Sequence, residues 1–225
     1  MKLRRKNISC ILKIIVIICA LSGVWLSYVS GKDSFMGGSR VFMFFTIQSN
    51  IAIALISAVG LFHLCKNREI SEALYTVTYV GTVSITLTGL VFCFVLAPTL
   101  VNHAWNLQNI LTHVIVPAAA VTDFFVIRAA EHVSRKNIPL VTLPPVAYAV
   151  YAGIGYLAGW EFLEGIHYPY FFLNWGSPAG AFGFTDELPF MGCVWWILAI
   201  LVLLLLIGWL YLFPAELAAE KERKT

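Results

Sequence analysis

The sequence predicts an all-α polytopic membrane bundle of six transmembrane helices with both termini cytoplasmic. Three observations predict it: a scarcity of charge, six apolar runs of spanning length, and a one-sided distribution of Lys and Arg. Of 225 residues, 60% are hydrophobic and 12% are charged, against roughly 25% charged in a soluble domain. Mean hydropathy is +0.82. The whole chain, 1–225, is therefore read as one transmembrane domain with no room for a soluble one.

A helical span needs about 20 mostly apolar residues. Ile8–Tyr28 is the first such run, behind a basic flank. Val41–Leu64 is the second, Tyr75–Ala97 the third and Leu107–Ile127 the fourth. Leu140–Trp160 and Met191–Phe213 complete the set. The connections Lys66–Ser71 and Ala129–Asn137 are short and polar, so the runs they join should pack as antiparallel neighbours.

Cationic loops stay cytoplasmic. Lys2, Arg4, Arg5 and Lys6 precede the first run; Lys66 and Arg68 follow the second; Arg128, Arg135 and Lys136 follow the fourth; Lys221, Arg223 and Lys224 follow the sixth. All of these lie on one side, and the opposite loops hold only Lys32 and Arg40. Both termini are thus expected in the cytoplasm, in a multi-pass protein of the cell membrane.

The net charge of +3 is an orientation signal. No basic patch interleaved with aromatics marks a nucleic-acid surface, and that class is set aside. A secretory signal peptide is the competing reading of the N-terminus, with Ala20-Leu21-Ser22 as a faint cleavage site, but the apolar stretch is too long and its removal leaves an odd span count. The five cysteines show no C-x-x-C spacing, so neither a disulfide framework nor a zinc knuckle is expected.

The connection 161–190 is long, rich in aromatics, Gly and Pro, and free of Lys and Arg. Non-helical apolar backbone near a membrane is tolerated when buried in protein or lining a cavity. A lid or partly re-entrant segment over the outer mouth is expected.

Polar residues inside the spans carry the chemistry. In the second run Thr46, Ser49, Asn50, Ile53 and Ser57 share one helix face while Gln48 points elsewhere. In the fourth, Asn106, Asn109, His113, Pro117 and Ala120 share a face. At 1.5 Å per residue, Thr46 lies about 9 Å inward from Arg40 and His113 about 10 Å inward from Asn106, so the two meet at one depth. A hydroxyl facing an imidazole is the minimum for an activated nucleophile, with Asn50 and Asn109 as candidate oxyanion donors. Pro117 leaves the His113 carbonyl without its usual partner and predicts a kink there. Asp123, about 15 Å deeper than His113, is too far to orient it, and Arg128 or a backbone donor is its expected partner. Packing between helices is the alternative role of Thr46 and Asn50.

His103, His113 and His167 with Glu161 and Glu164 are the rival metal set. Gly165 interrupts their helical spacing and no H-E-x-x-H motif is present, so no metal or other cofactor is expected. Nor do the histidines offer the matched pairs a haem-binding bundle needs.

"FFTIQSNIAIA", "LTHVIVPAAAVTDFFV" and "YPYFFLN", in that order across six spans, resemble bacterial six-transmembrane proteins related to the androgen-induced-gene family of integral-membrane hydrolases. Eukaryotic members are intramembrane threonine hydrolases of fatty acid esters of hydroxy fatty acids that use one Thr and one His. The resemblance implies Thr46 and His113 in those roles. It departs at Asp123-Phe124, where bacterial relatives commonly show Asp-Trp, and at Asn174, where they show an acidic residue. The expectation is a lipid-ester hydrolase acting on a membrane lipid, with Thr46 as nucleophile and His113 as base. Asn50, Asn106 and Asn109 would assist, and the segment carrying Tyr168, Tyr170 and Asn174 would shape the acyl site. The alternative is a non-enzymatic transporter or small-ligand-binding membrane protein using the same polar stripes.

Overall fold

The computed structural model describes residues 3–32, 38–100 and 104–223. Among these residues, seven α-helices build six segments long and apolar enough to span a membrane: α1 (Leu3–Lys32), α2 (Phe45–Cys65), α3 (Glu72–Val91), α4 (Leu107–Ile110) continued by α5 (Val116–Val126), α6 (Leu143–Leu157) and α7 (Cys193–Arg223). No β-strand occurs among the described residues, and two isolated bridges, Leu163 with Ile166 and Phe184 with Met191, tie the long loop to itself. Six crossings return the chain to the face from which it starts. That face is called here the terminal face, and the opposite one the loop face.

Local signals set the helix ends. Ser71 caps α3 by accepting from the Leu74 N–H at 3.2 Å, and Asn106 caps α4 by accepting from the Asn109 N–H at 2.9 Å, the standard use of a short polar side chain at an orphan amide. Pro144 and Pro145 occupy the first turn of α6, where a missing N–H costs nothing. The second span starts later than its hydropathy predicts. Ser39–Met43 forms a separate 3-10 turn, and Phe44 is extended at φ −88°, ψ 139°, so α2 begins only at Phe45.

Helix α1 packs on α2 and α5, α2 on α3, and α3 on α5. Val16, Ile53, Ile85 and Val116 fill the space they share. Tyr79, Phe124 and Leu204 build a second core that brings in α7. A third lies at the loop face, where Phe44, Tyr148, Phe162 and Phe172 bring the long loop onto α2 and α6. Leu55, Phe94, Leu157 and Val202 face outward, as hydrocarbon surroundings require of a bundle.

One buried contact departs from expectation. Asp123 does not pair with Arg128; it accepts hydrogen bonds from Lys13 and Ser9 of α1, and all three are nearly inaccessible. Arg128 instead meets Glu131 at 3.0 Å on an exposed turn. Lys13 sits about 15 Å along α1 from Leu3, at a depth where a lone ammonium is costly. Gly60 of α2 makes room for it, since a Cβ there would lie 3.0 Å from the Lys13 Cε.

Candidate functional site

Because α2 begins at Phe45, Thr46 lies in its first turn, where backbone N–H groups have no intrahelical acceptor. Tyr170, from the long loop, fills that position. Its phenol oxygen lies 3.4 Å from the Thr46 N–H, which donates to it, and 3.5 Å from the Thr46 hydroxyl. The Tyr170 ring stacks on Phe172 with centroids 5.1 Å apart and meets Phe44 edge-on at 5.7 Å. Burial raises the Tyr170 phenol above its ordinary value, and the hydrogen bonds from Thr46 oppose that rise.

His113 is carried by a π-helical turn, Leu111–Ile115, between α4 and α5. Pro117 explains the turn: it cannot donate to the His113 carbonyl, and the wider turn absorbs the missing bond. That freed carbonyl points at Gly89 of α3, where a Cβ would stand 2.8 Å from it. The imidazole stacks face to face on Phe92, centroids 3.8 Å apart at 12°. With its proton on Nδ1, it donates to the Thr88 carbonyl at 3.3 Å, which leaves Nε2 free to accept a proton.

Thr46 and His113 line one cavity of about 300 Å³ at the loop face, together with Asn109, Tyr168 and Tyr170. No hydrogen bond joins the Thr46 and His113 side chains. Thr46 also borders a smaller cavity of about 70 Å³, whose walls include Thr88, Tyr148 and Tyr170.

The remaining predicted residues divide. Asn109 lines the larger cavity and donates from its amide to the Ala104 carbonyl at 2.9 Å, keeping one amide hydrogen uncommitted. Asn50 is fully buried and gives its amide hydrogens to the carbonyls of Thr46, at 2.8 Å, and Thr112, at 3.2 Å. It therefore has no donor left for an oxyanion, and it ties α2 to the π-turn. Asn106 serves as a helix cap. Asn174 accepts from the Gly176 N–H at 3.1 Å and shapes its own turn; it borders neither cavity at Thr46. Ser49 bonds the Thr88 hydroxyl at 2.9 Å, holding α2 against α3 beside the His113 support.

Two residues of the neighbourhood escaped sequence reasoning. Tyr148 of α6 sits against Phe45 and Tyr170 and donates to the Met43 carbonyl at 3.0 Å; its aromatic character alone did not separate it from lipid-facing tyrosines. Phe92, the stacking partner of His113, reads as one more apolar residue of the third run.

Two residues of the rival metal set are otherwise engaged. Glu161 pairs with Arg40 at 2.7 Å, and the His167 ring faces the Trp160 carbonyl at 3.0 Å. His103 lies outside the described residues. Among the described residues, no three His, Cys, Asp or Glu side chains cluster closely enough to share a metal ion. Comparison of the chain with protein-family models, curated proteins and solved structures finds no match.

Proposed function

We propose that the chain is an intramembrane hydrolase of a lipid acyl ester, with Thr46 as nucleophile and His113 as general base. The supporting observation is that a hydroxyl from α2 and an imidazole from the π-turn, far apart in sequence, line one cavity beside a buried phenol. Distribution of Lys and Arg supports an orientation with both termini cytoplasmic in the cell membrane, which puts the reaction in the outer leaflet.

In this mechanism the Thr46 Oγ attacks the acyl carbon as its proton passes to His113 Nε2. The Thr88 carbonyl, 3.3 Å from Nδ1, holds the ring in the tautomer that accepts and stabilises the imidazolium. Negative charge that gathers on the former carbonyl oxygen meets the Tyr170 phenol and the uncommitted amide hydrogen of Asn109, donors held in place before reaction. Collapse breaks the ester C–O bond, and the departing alkoxide takes the proton from His113. Water then attacks the acyl-threonine ester with His113 again as base, releasing the acid and restoring Thr46. The Thr46 and His113 side chains come into contact when substrate occupies the cavity, since catalytic hydrogen bonds tighten in the loaded site.

The test is ester turnover by purified protein. Thr46→Ala and His113→Ala each abolish hydrolysis while thermal unfolding stays close to wild type. Retained turnover in either variant overturns the proposal. If the protein instead carries a solute across liposomes and Thr46→Ala leaves that flux unchanged, it is a transporter.

A further inference from the structure

We infer that the gap between α6 and the α2–α3 pair is the acyl-chain channel of this protein, reached sideways from the bilayer and closed off from Thr46 by Phe45 and Tyr148. The inference rests on the hydrolase reading and adds where the substrate's chain lies. Helix α6 makes its main contacts through the 3-10 turn before it, Arg135–Thr142, and the turn Phe171–Leu173 in the long loop. Along the middle of the membrane it stands away from α2 and α3. The result is a cavity of about 600 Å³ whose walls carry Ala52, Ile56, Val80, Leu143 and Ala147. From Leu140 to Tyr151, both on its wall, it extends about 16 Å along the membrane normal.

Two observations favour a lipid chain as occupant. First, the cavity abuts the candidate site: Phe45 and Tyr148 line both it and the smaller cavity at Thr46. Their rings meet edge to face, centroids 5.3 Å apart, and form the partition between a long apolar space and the nucleophile. Second, the walls are mostly apolar, with Gln48, Ser49, Thr76 and Ser84 as their polar members, and lie within the spanning segments, where hydrocarbon is the surrounding solvent.

An ester whose carbonyl sits at Thr46 would then run its acyl chain past Phe45 into this channel, while its alcohol portion stays in the loop-face cavity under Tyr168. Ala52 and Ala147 are exposed, so larger side chains there fill the channel without disturbing a core.

The test uses purified full-length protein in nanodiscs with a long-chain ester carrying a diazirine at mid-chain, on a Thr46→Ala background so that the probe persists. After illumination, the label is located by mass spectrometry. The expected result is saturable labelling on the α2, α3 and α6 walls of this channel, competed by unlabelled ester and reduced at least about fivefold by Ala147→Trp or Ala52→Trp, the change a loss of roughly 1 kcal/mol produces. With Thr46 intact, the same Trp variants slow long-chain esters and spare acetyl esters. Labelling spread evenly over lipid-facing residues such as Val202, or unchanged by either Trp variant, overturns the channel. So does cross-linking between chains through this face, which makes it a contact with a second copy. Specific labelling without hydrolysis retains the channel and sinks the hydrolase; hydrolysis with the label elsewhere does the reverse.

Discussion

The Asn50 side chain reaches 3.2 Å to the backbone carbonyl of Thr112, so that an amide of α2 holds the π-turn on which His113 rides. A second bond from the same amide returns to the Thr46 carbonyl at 2.8 Å. One side chain thereby sets the spacing between the two candidate catalytic residues from behind.

Asn50→Leu removes both bonds; the Thr46 carbonyl keeps the Ser49 hydroxyl at 3.0 Å, while the Thr112 carbonyl loses the Asn50 amide. Hydrogen bonds between membrane helices average about 0.6 kcal/mol each, so the expected loss is about 1–2 kcal/mol, seen as a lower midpoint in thermal unfolding of detergent-purified protein. An unchanged midpoint with lost turnover would instead assign Asn50 a direct part in the reaction.

Gly89→Ala places a methyl 2.8 Å from the His113 carbonyl, a backbone atom that cannot swing aside. Overpacking of this kind costs about 1–3 kcal/mol. The variant should unfold at lower temperature and lose hydrolysis together, because the turn bearing the imidazole must shift. Full activity at wild-type stability would show that α3 and the π-turn separate freely.

Tyr170→Phe keeps the stacked ring and deletes the phenol. If the hydroxyl steadies the oxyanion, turnover falls about 10²–10³-fold, the usual effect of one such donor, with little change in binding. The same variant alters the alkaline limb of stability. Burial raises the phenol above its ordinary value of 10.0, so the folded state keeps a proton that the unfolded chain releases. That contribution is whole below about pH 10 and drains away as pH climbs through the folded value. Between pH 9 and 11, melting of the wild type should decline more steeply than that of Tyr170→Phe; parallel curves contradict the assignment.

Lys13→Met and Asp123→Leu each strand one buried charge and should cost about 3–5 kcal/mol. The double variant Lys13→Met/Asp123→Leu removes both charges and should regain most of the loss. Single variants as stable as wild type in a thermal melt would mean that water reaches the pair.

The six spans were legible because length and apolarity leave few alternatives. The π-turn at His113 was half legible, since Pro117 demanded a local rearrangement but did not say which. Side-chain commitments were another matter. Asn50 and Asn174 look alike as donors on a helix face or in a loop, and their backbone partners are set by neighbouring elements and turns that no spacing rule describes. Arg128 was expected at Asp123 because it is near in sequence, whereas Lys13 lies 110 residues away. A signal for Lys13 did exist: an ionisable residue inside an apolar run requires a buried partner, and Asp123 was the carboxylate in another run awaiting one. The basic flank just before the first span hid it among charges of ordinary purpose.

The same separation has a consequence for biogenesis. When α1 leaves the ribosome its counter-ion has not yet been synthesised, and Lys at the centre of a membrane helix carries about 2.5–3.5 kcal/mol against insertion. The nascent helix will therefore sit shallow, its lysine stretched toward the headgroups, until α5 arrives and the pair draws it to full depth. Insertion of α1 to its final depth is thus completed late, and chains truncated before Asp123 should hold α1 less firmly in the membrane than the full chain does.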